Sequence, residues 1–333
     1  MIIVRTPFRI SFLGGGTDYP TWYQEHGGAV LATTIDKYCY LTCRKLPPFF
    51  EHRYRLVYSR IETVNRIEDI EHPAVKAVLK WSNKDYGLEI HHDGDLPARS
   101  GLGSSSSFTV SLVHAMQALK GQYASKDSLA NDAIHIEQNL IKENVGSQDQ
   151  ISAAFGGFNR IEFKKGSGGF RVEPVLVSSE RKTLLQDHLM LFFTGFSRIA
   201  SEIASSKIQN MKNRVAELQF MQSMVDEGLH ILHDRNTNIE KFGELLHESW
   251  QYKRTLSNKV SNPEIDALYE AARSSGATGG KILGAGGGGF LLLFVKPEMQ
   301  AAVREKLKKL IYVPFQFEDT GSRVVLYQPD GLS

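Results

Sequence analysis

The chain has 333 residues, 41% hydrophobic and 23% charged, long enough for two domains with ample cores. Lys and Arg number 39 against 37 Asp and Glu, a formal net charge of +2, so no general field favours nucleic acid or an anionic membrane and any basic site has to be local. Two cysteines argue against a disulfide scaffold, and with no signal-type N-terminus and no run of about eighteen apolar residues a cytoplasmic protein is expected.

In chain order, residues 2–12 and 29–44 read as strands, the second rich in Thr, Ile and Tyr. Cys39 and Cys43 lie an even number apart in CYLTC and share a strand face. No second Cys/His pair stands nearby at ligand spacing, so packing rather than metal binding is expected. Residues 73–82, 104–119 and 128–140 read as helices. In the second of these Phe108, Leu112, Met116 and Leu119 recur at helical spacing with Val113 beside them. The turn KKGSGGF, 164–170, and the strand-like RVEPVLV after it mark a boundary between segments 1–180 and 181–333. DHLMLFFTG then reads as a buried strand, and Met211, Val215, Leu218, Val225, Leu229 and Leu232 form the apolar stripe of a long helix. GGFLLLFV, a helix over about 298–310 and the short strands FQFE and SRVVLY complete two strand-helix-strand units, the order of a ferredoxin-like domain.

Three glycine-rich segments carry the chemistry. PARSGLGSSSS, Pro97 to Ser107, opens onto the second helix, where glycines permit close approach and positive φ, and hydroxyls and N–H groups meet an anion with the helix dipole behind them. Taken alone, such a run is as readily a linker. The others are TPFRISFLGGGTDYP, Thr6 to Pro20, and KILGAGGGGFLLLF, Lys281 to Phe294. Gly284 to Gly289 matches GxGxxG, but a strand-like FLLLFV follows it, which excludes a dinucleotide fold. Gly279, Gly280 and Lys281 are no Walker loop, because Ile282 stands where a Ser or Thr is required.

In this order the three segments resemble the signature motifs of the GHMP kinases, the superfamily of galactokinase, homoserine kinase and mevalonate kinase, over nearly the whole chain. The resemblance implies an α+β, two-domain fold, the N-terminal domain like ribosomal protein S5 domain 2 and the C-terminal one ferredoxin-like. It implies ATP and Mg2+, with phosphoryl transfer that rests on a phosphate cradle, metal ligands and a group that orients the acceptor hydroxyl. Gly101, Leu102, Gly103, Ser104, Ser105 and Ser106 would hold the ATP phosphates, and Ser105 and Glu137 the metal. Glu143 is a competing metal ligand that matches the pattern less well. Asp149 would sit against the acceptor hydroxyl with Arg9 beside it, neutralising charge on the transferring group. Gly15, Gly16, Thr17, Asp18, Gly286 and Gly287 would face the acceptor.

GGGTDY stands where galactokinases carry GEHTDY, which removes polar contacts suited to a small unphosphorylated hexose. With VGSQDQISAAFGG and TGFSRIASEI, it looks most like bacterial D-glycero-D-manno-heptose 7-phosphate kinases, then like fucokinases. That branch implies a sugar phosphate acceptor and a second anion site, for which Arg198 in FTGFSRIASEI is the candidate. Lys253 and Arg254 are weaker candidates, since helix charges are mostly solvated. The expected partners are ATP and a sugar phosphate, with no nucleic acid and no membrane, and a homodimer is left open. An unphosphorylated-sugar kinase, an isoprenoid or amino-acid kinase and a non-catalytic ATP and sugar sensor remain alternatives. Nothing between Tyr54 and Glu71 identifies adenine contacts by residue type.

Overall fold

The computed structural model describes residues 1–82, 86–98, 100–166, 168–195 and 200–329. Its first part runs β1 (Ile2–Leu13), α1 (Pro20–His26), β2 (Gly28–Lys45), β3 (Tyr54–Val57), β4 (Ile61–Val64), α2 (Pro73–Ser82) and β5 (Leu88–Gly94). It continues through α3 (Ser104–Leu119), α4 (Lys126–Ile134), α5 (Gln148–Phe155), β6 (Phe158–Phe163) and β7 (Phe170–Pro174). The second part holds α6 (Ser179–Asp187), β8 (Leu189–Phe193), α7 (Ala200–Asn210), α8 (Val215–His233), α9 (Glu240–Thr255) and α10 (Pro263–Ser274). β9 (Ala277–Ile282), β10 (Phe290–Val295), α11 (Gln300–Lys306), β11 (Ile311–Tyr312), β12 (Phe317–Glu318) and β13 (Arg323–Tyr327) complete the chain.

β2 organises the first sheet, whose main path is β13-β1-β2-β5-β3-β4. Its N-terminal half pairs with β6 and its C-terminal half with β5, so one long strand serves two sets of neighbours. β1 alternates buried and half-buried residues only up to Arg5, and from Thr6 onward every residue is buried, because α3, α5, α8 and α9 all pack against it. The buried stripe of α3 includes Phe108, Leu112, Val113, Met116 and Leu119, as the spacing required. Cys39 and Cys43 are both buried and free, and burial pushes both thiols up to about 12, in keeping with packing.

The second sheet has the order β11-β8-β10-β9 with every pairing antiparallel, the ferredoxin-like arrangement. Its fourth strand is not one of the two expected. Ile311–Tyr312 pairs with β8, whereas FQFE contributes β12 to β2 and SRVVLY forms β13 beside β1. A short, half-exposed strand pattern specifies a sheet edge without saying which sheet. The helix expected over 298–310 is a single turn at 297–299 followed by α11, which ends at Lys306. Met211 belongs to a separate turn ahead of α8.

The two sheets share one core. Phe12 of β1 meets Phe158 of β6 and Phe242 of α9 edge-on, with ring centroids 5.6 Å apart in each pair. α9 lies on β9 so closely that a Cβ on Gly279 would overlap the Gly243 carbonyl, and one on Gly243 would come within 2.6 Å of the Phe294 ring. Gly279→Ala should therefore cost about 1–3 kcal/mol or more through overpacking. An urea-unfolding midpoint equal to that of the unaltered protein would contradict this packing.

Candidate active site

The serine loop and the C-terminal glycine turn lie backbone against backbone. A Cβ on Gly101 would stand 2.7 Å from the Leu283 carbonyl oxygen, one on Gly284 would reach within 2.5 Å of Gly101 Cα, and the Phe290 N–H donates to the Ser100 carbonyl at 3.2 Å. Gly101 and Gly103 hold φ of 86° and 77°, the left-handed region that glycine tolerates. Leu102 between them is fully buried, and its carbonyl accepts the Arg9 N–H at 3.0 Å, so it anchors the loop to β1. The first bond of α3 runs from the Ser107 N–H to the Gly103 carbonyl. The N–H groups of Ser105 and Ser106 therefore have no acceptor within the helix and stand at its positive end.

Arg9 is the hub. Its Nε donates to Asp149 Oδ1 and its Nη2 to Asp149 Oδ2, both at 2.8 Å, while Nη1 donates to the Gly101 carbonyl at 2.6 Å. Arg9 is almost fully buried, whereas the Asp149 side chain keeps 27% of its surface exposed. The bidentate fork thus fixes a carboxylate that a ligand can still reach. A Cβ on Gly103 would lie 3.5 Å from Asp149 Oδ2, which places this carboxylate beside the start of α3.

Glu137 sits in a widened, π-type turn over His135–Leu140 that follows α4, a kind of bulge that recurs at functional sites. It is buried. Ser106 Oγ donates to its Oε2 at 2.9 Å, and the Gln150 amide donates to the same oxygen. The Thr109 hydroxyl donates to the Ser105 carbonyl at 3.3 Å, and Glu137 Oε1 is left buried with no donor. Burial pushes the Glu137 carboxyl up to about 7, against its polar neighbours Thr109, Gln150 and Ser106. An orphaned carboxylate oxygen next to a serine hydroxyl is a hard oxygen set that fits magnesium. Ser106, not the expected Ser105, meets Glu137: consecutive helical residues point about 100° apart, and Ser105 is exposed while Ser106 faces inward. Glu143 stands in the loop beyond the turn, where its charge works against that of Glu137.

Asp18, expected to face the acceptor, is buried, with Oδ1 accepting the Gly16 N–H and Oδ2 the Gln148 amide, both at 2.9 Å. A Cβ on Gly146 would overlap Asp18 Oδ2, and Ser147 N–H donates to the Asp18 carbonyl, so the segment before α5 wraps this aspartate. Gly15 lies near Ser11 Oγ and the Gln148 amide, and Ser11 Oγ and Gln148 Oε1 are both buried without a partner. Thr17 is corrected from acceptor contact to loop support, since it is fully buried and its hydroxyl donates to the Gly14 and Ala29 carbonyls. Gly286 and Gly287 are packed on Val260, whose carbonyl accepts the Gly287 N–H at 2.7 Å. Arg198 lies outside the described residues.

Three lysines complete the site, and the sequence pattern pointed to none of them as buried. Lys253, expected as a solvated helix charge, is buried and donates to the Ile282 and Gly284 carbonyls at 2.7 Å, holding the glycine turn. Lys281 donates to the Phe12 carbonyl at 2.7 Å and is pulled down to about 7 by burial. Lys207 of α7 lies 5.4 Å from the Tyr19 ring centroid. Only its spacing hints at burial, since Lys207 falls four residues after the buried Ile203 on α7. Arg254 is half exposed and paired with Asp266.

The model of the GHMP kinases N terminal domain matches residues 67–157, and that of the GHMP kinases C terminal matches residues 231–312. The chain is 28% identical to the D-glycero-alpha-D-manno-heptose 7-phosphate kinase of Campylobacter jejuni, over 92% of this chain and 93% of that protein. It is 26% identical to the bifunctional fucokinase/GDP-fucose pyrophosphorylase of Arabidopsis thaliana, over 92% of this chain and 31% of that protein. The crystal structure of a D-glycero-D-manno-heptose 1-phosphate kinase from Bacteroides thetaiotaomicron shares the fold, with a TM-score of 0.79 across 97% of this chain and 98% of that one at 22% identity.

The raised carboxyl of Glu137 has a measurable sign. A folded-state value near 7 against an ordinary 4.5 means that the metal-free protein loses stability as pH rises from about 4.5 to 7. Glu137→Gln removes that loss, so at pH 8 without magnesium it should be more stable than the unaltered protein by about 1 kcal/mol or more. The same variant should lose stabilisation by added magnesium. Thermal melts at pH 5 and pH 8, with and without the metal, test both statements.

Proposed function

The chain belongs to the GHMP kinases, phosphotransferases that act on hydroxyl groups, and we propose that it transfers the γ-phosphoryl group of ATP to the anomeric hydroxyl of D-glycero-D-manno-heptose 7-phosphate, giving the 1,7-bisphosphate. The observation that carries the reaction type is the Arg9–Asp149 fork beside the N-terminus of α3, which brings an acceptor-side carboxylate next to a phosphate-binding helix end. In this reading Gly101 to Ser106 cradle the ATP phosphates. Ser106 and Glu137 would hold magnesium, which would supply positive charge to neutralise the phosphates. Asp149 orients the acceptor hydroxyl and takes its proton as the oxygen attacks in line. Arg9 holds that carboxylate in place and opposes the negative charge of the transferring group. Asp18 and Gln148 receive sugar hydroxyls, with the unpartnered Ser11 Oγ and Gln148 Oε1 supplying further polar positions. The heptose assignment draws its support from the relative in Campylobacter jejuni and from the GGGTDY loop.

Asp149→Asn should lower kcat about a hundred- to ten-thousand-fold, the usual contribution of general-base catalysis. Turnover within threefold of the unaltered enzyme would remove Asp149 from the mechanism. For the substrate, ADP release with ATP and magnesium over heptose 7-phosphate, mannose 6-phosphate, fucose, galactose and mevalonate should favour the heptose phosphate by about tenfold or more in kcat/KM, equivalent to one good charged contact. Preference for fucose or galactose would keep the kinase assignment and overturn the acceptor.

A further inference from the structure

We propose that Lys207 is the cation that receives the acceptor's own phosphate, an assignment that rests on the reading of the acceptor as a phosphorylated sugar. Lys207 stands on α7 with 4% of its surface exposed and its ammonium over the ring of Tyr19. Buried lysines require acceptors, and the two others in this site have them: Lys253 has two carbonyls and Lys281 one. The Lys207 ammonium makes no hydrogen bond or ion pair with a described residue, only the 5.4 Å approach to the Tyr19 ring. A lysine this deeply set whose ammonium has no oxygen partner is costly unless a ligand supplies one.

The surroundings favour an anionic partner over a hydroxyl. A phosphorylated acceptor has to approach Asp149 with Asp18 behind it, both close enough to Lys207 to act on its charge. Arg9 is committed to Asp149 and Gly101, and the end of α3 lies on the nucleotide side of Asp149. Among the described cations of the site, Lys207 is thus the one with all three N–H donors uncommitted. Burial pulls its ammonium down to about 8, opposed by Asp18 and Asp149, so it carries its charge at neutral pH and gives it up just above.

The test is calorimetric binding of heptose 7-phosphate and of unphosphorylated heptose to the full chain without ATP, in unaltered protein, Lys207→Met and Lys207→Arg. Losing a hydrogen bond to a charged group costs about ten- to a hundredfold in affinity. The expected result is a loss of that size for the sugar phosphate in Lys207→Met, partial recovery in Lys207→Arg, and little change for the unphosphorylated sugar. An unchanged Kd for the phosphate in Lys207→Met, or equal losses for both sugars, would overturn the assignment. If the unaltered protein binds both sugars equally, the phosphorylated-acceptor reading has failed, and Lys207 with it, before any variant is considered. Should Lys207→Met not fold, the unaltered protein still decides: its affinity for the phosphate should fall up to tenfold per pH unit above about 8. The groups acting on Lys207 are Asp18, Tyr19, Asp149, Arg9, Lys253 and Lys281. Burial raises Tyr19 above that window and lowers Lys253 and Lys281, so an affinity flat from pH 7 to 10 counts against Lys207.

Discussion

One guanidinium joins the parts of this site. Arg9 belongs to the central strand β1, yet its side chain is shared between Asp149 at the start of α5 and the Gly101 carbonyl of the serine loop, and its N–H is bound by Leu102. Its planar fork satisfies three acceptors with almost no exposure, a geometry that a lysine point charge could not reproduce. Loop, Asp149 carboxylate and sheet therefore cannot move independently. The remaining features follow from that constraint: two glycines must bend the loop back onto the C-terminal turn, and Glu137 has to approach α3 from the widened turn behind it.

Much of this was legible in the sequence because glycine carries meaning that other residues do not. The three glycine-rich segments could be read as one site since close backbone approach and positive φ leave few alternatives, and the strand after GAGGGG excluded a dinucleotide fold. What could not be read was phase. Within SSSS, composition is identical at every position, so choosing Ser105 over Ser106 required knowing where α3 begins. The same holds for SRVVLY and FQFE, whose alternation marks them as edge strands for either sheet, while the two-residue β11 is too short for any pattern. Lys253 and Lys207 were hidden for a different reason. A lysine in a polar helix reads as solvent-facing, and only the surrounding apolar spacing betrays it.

The charge distribution of the site is a compromise between stability and readiness. Glu137, Asp18, Lys207 and Lys281 all have their ionised forms disfavoured by burial, the pattern expected where groups are held for a ligand rather than for each other. Bound nucleotide, metal and acceptor would supply the missing counter-charges. The folded protein is accordingly expected to be tighter and more stable when loaded than when empty.

The return of β13 to β1 bears on how the chain is made. β1 spans Ile2–Leu13 and β13 spans Arg323–Tyr327, so the first sheet gains its outer strand only after everything between the two has been synthesised. Until then one edge of β1 stays open with its backbone groups unpaired, over a strand that is otherwise largely apolar. The ferredoxin-like half, whose four strands lie between Leu189 and Tyr312, can close before that edge is covered. Synthesis order and folding order thus run against each other here, and the nascent first half is the part of the molecule for which a holding chaperone has a physical reason to exist.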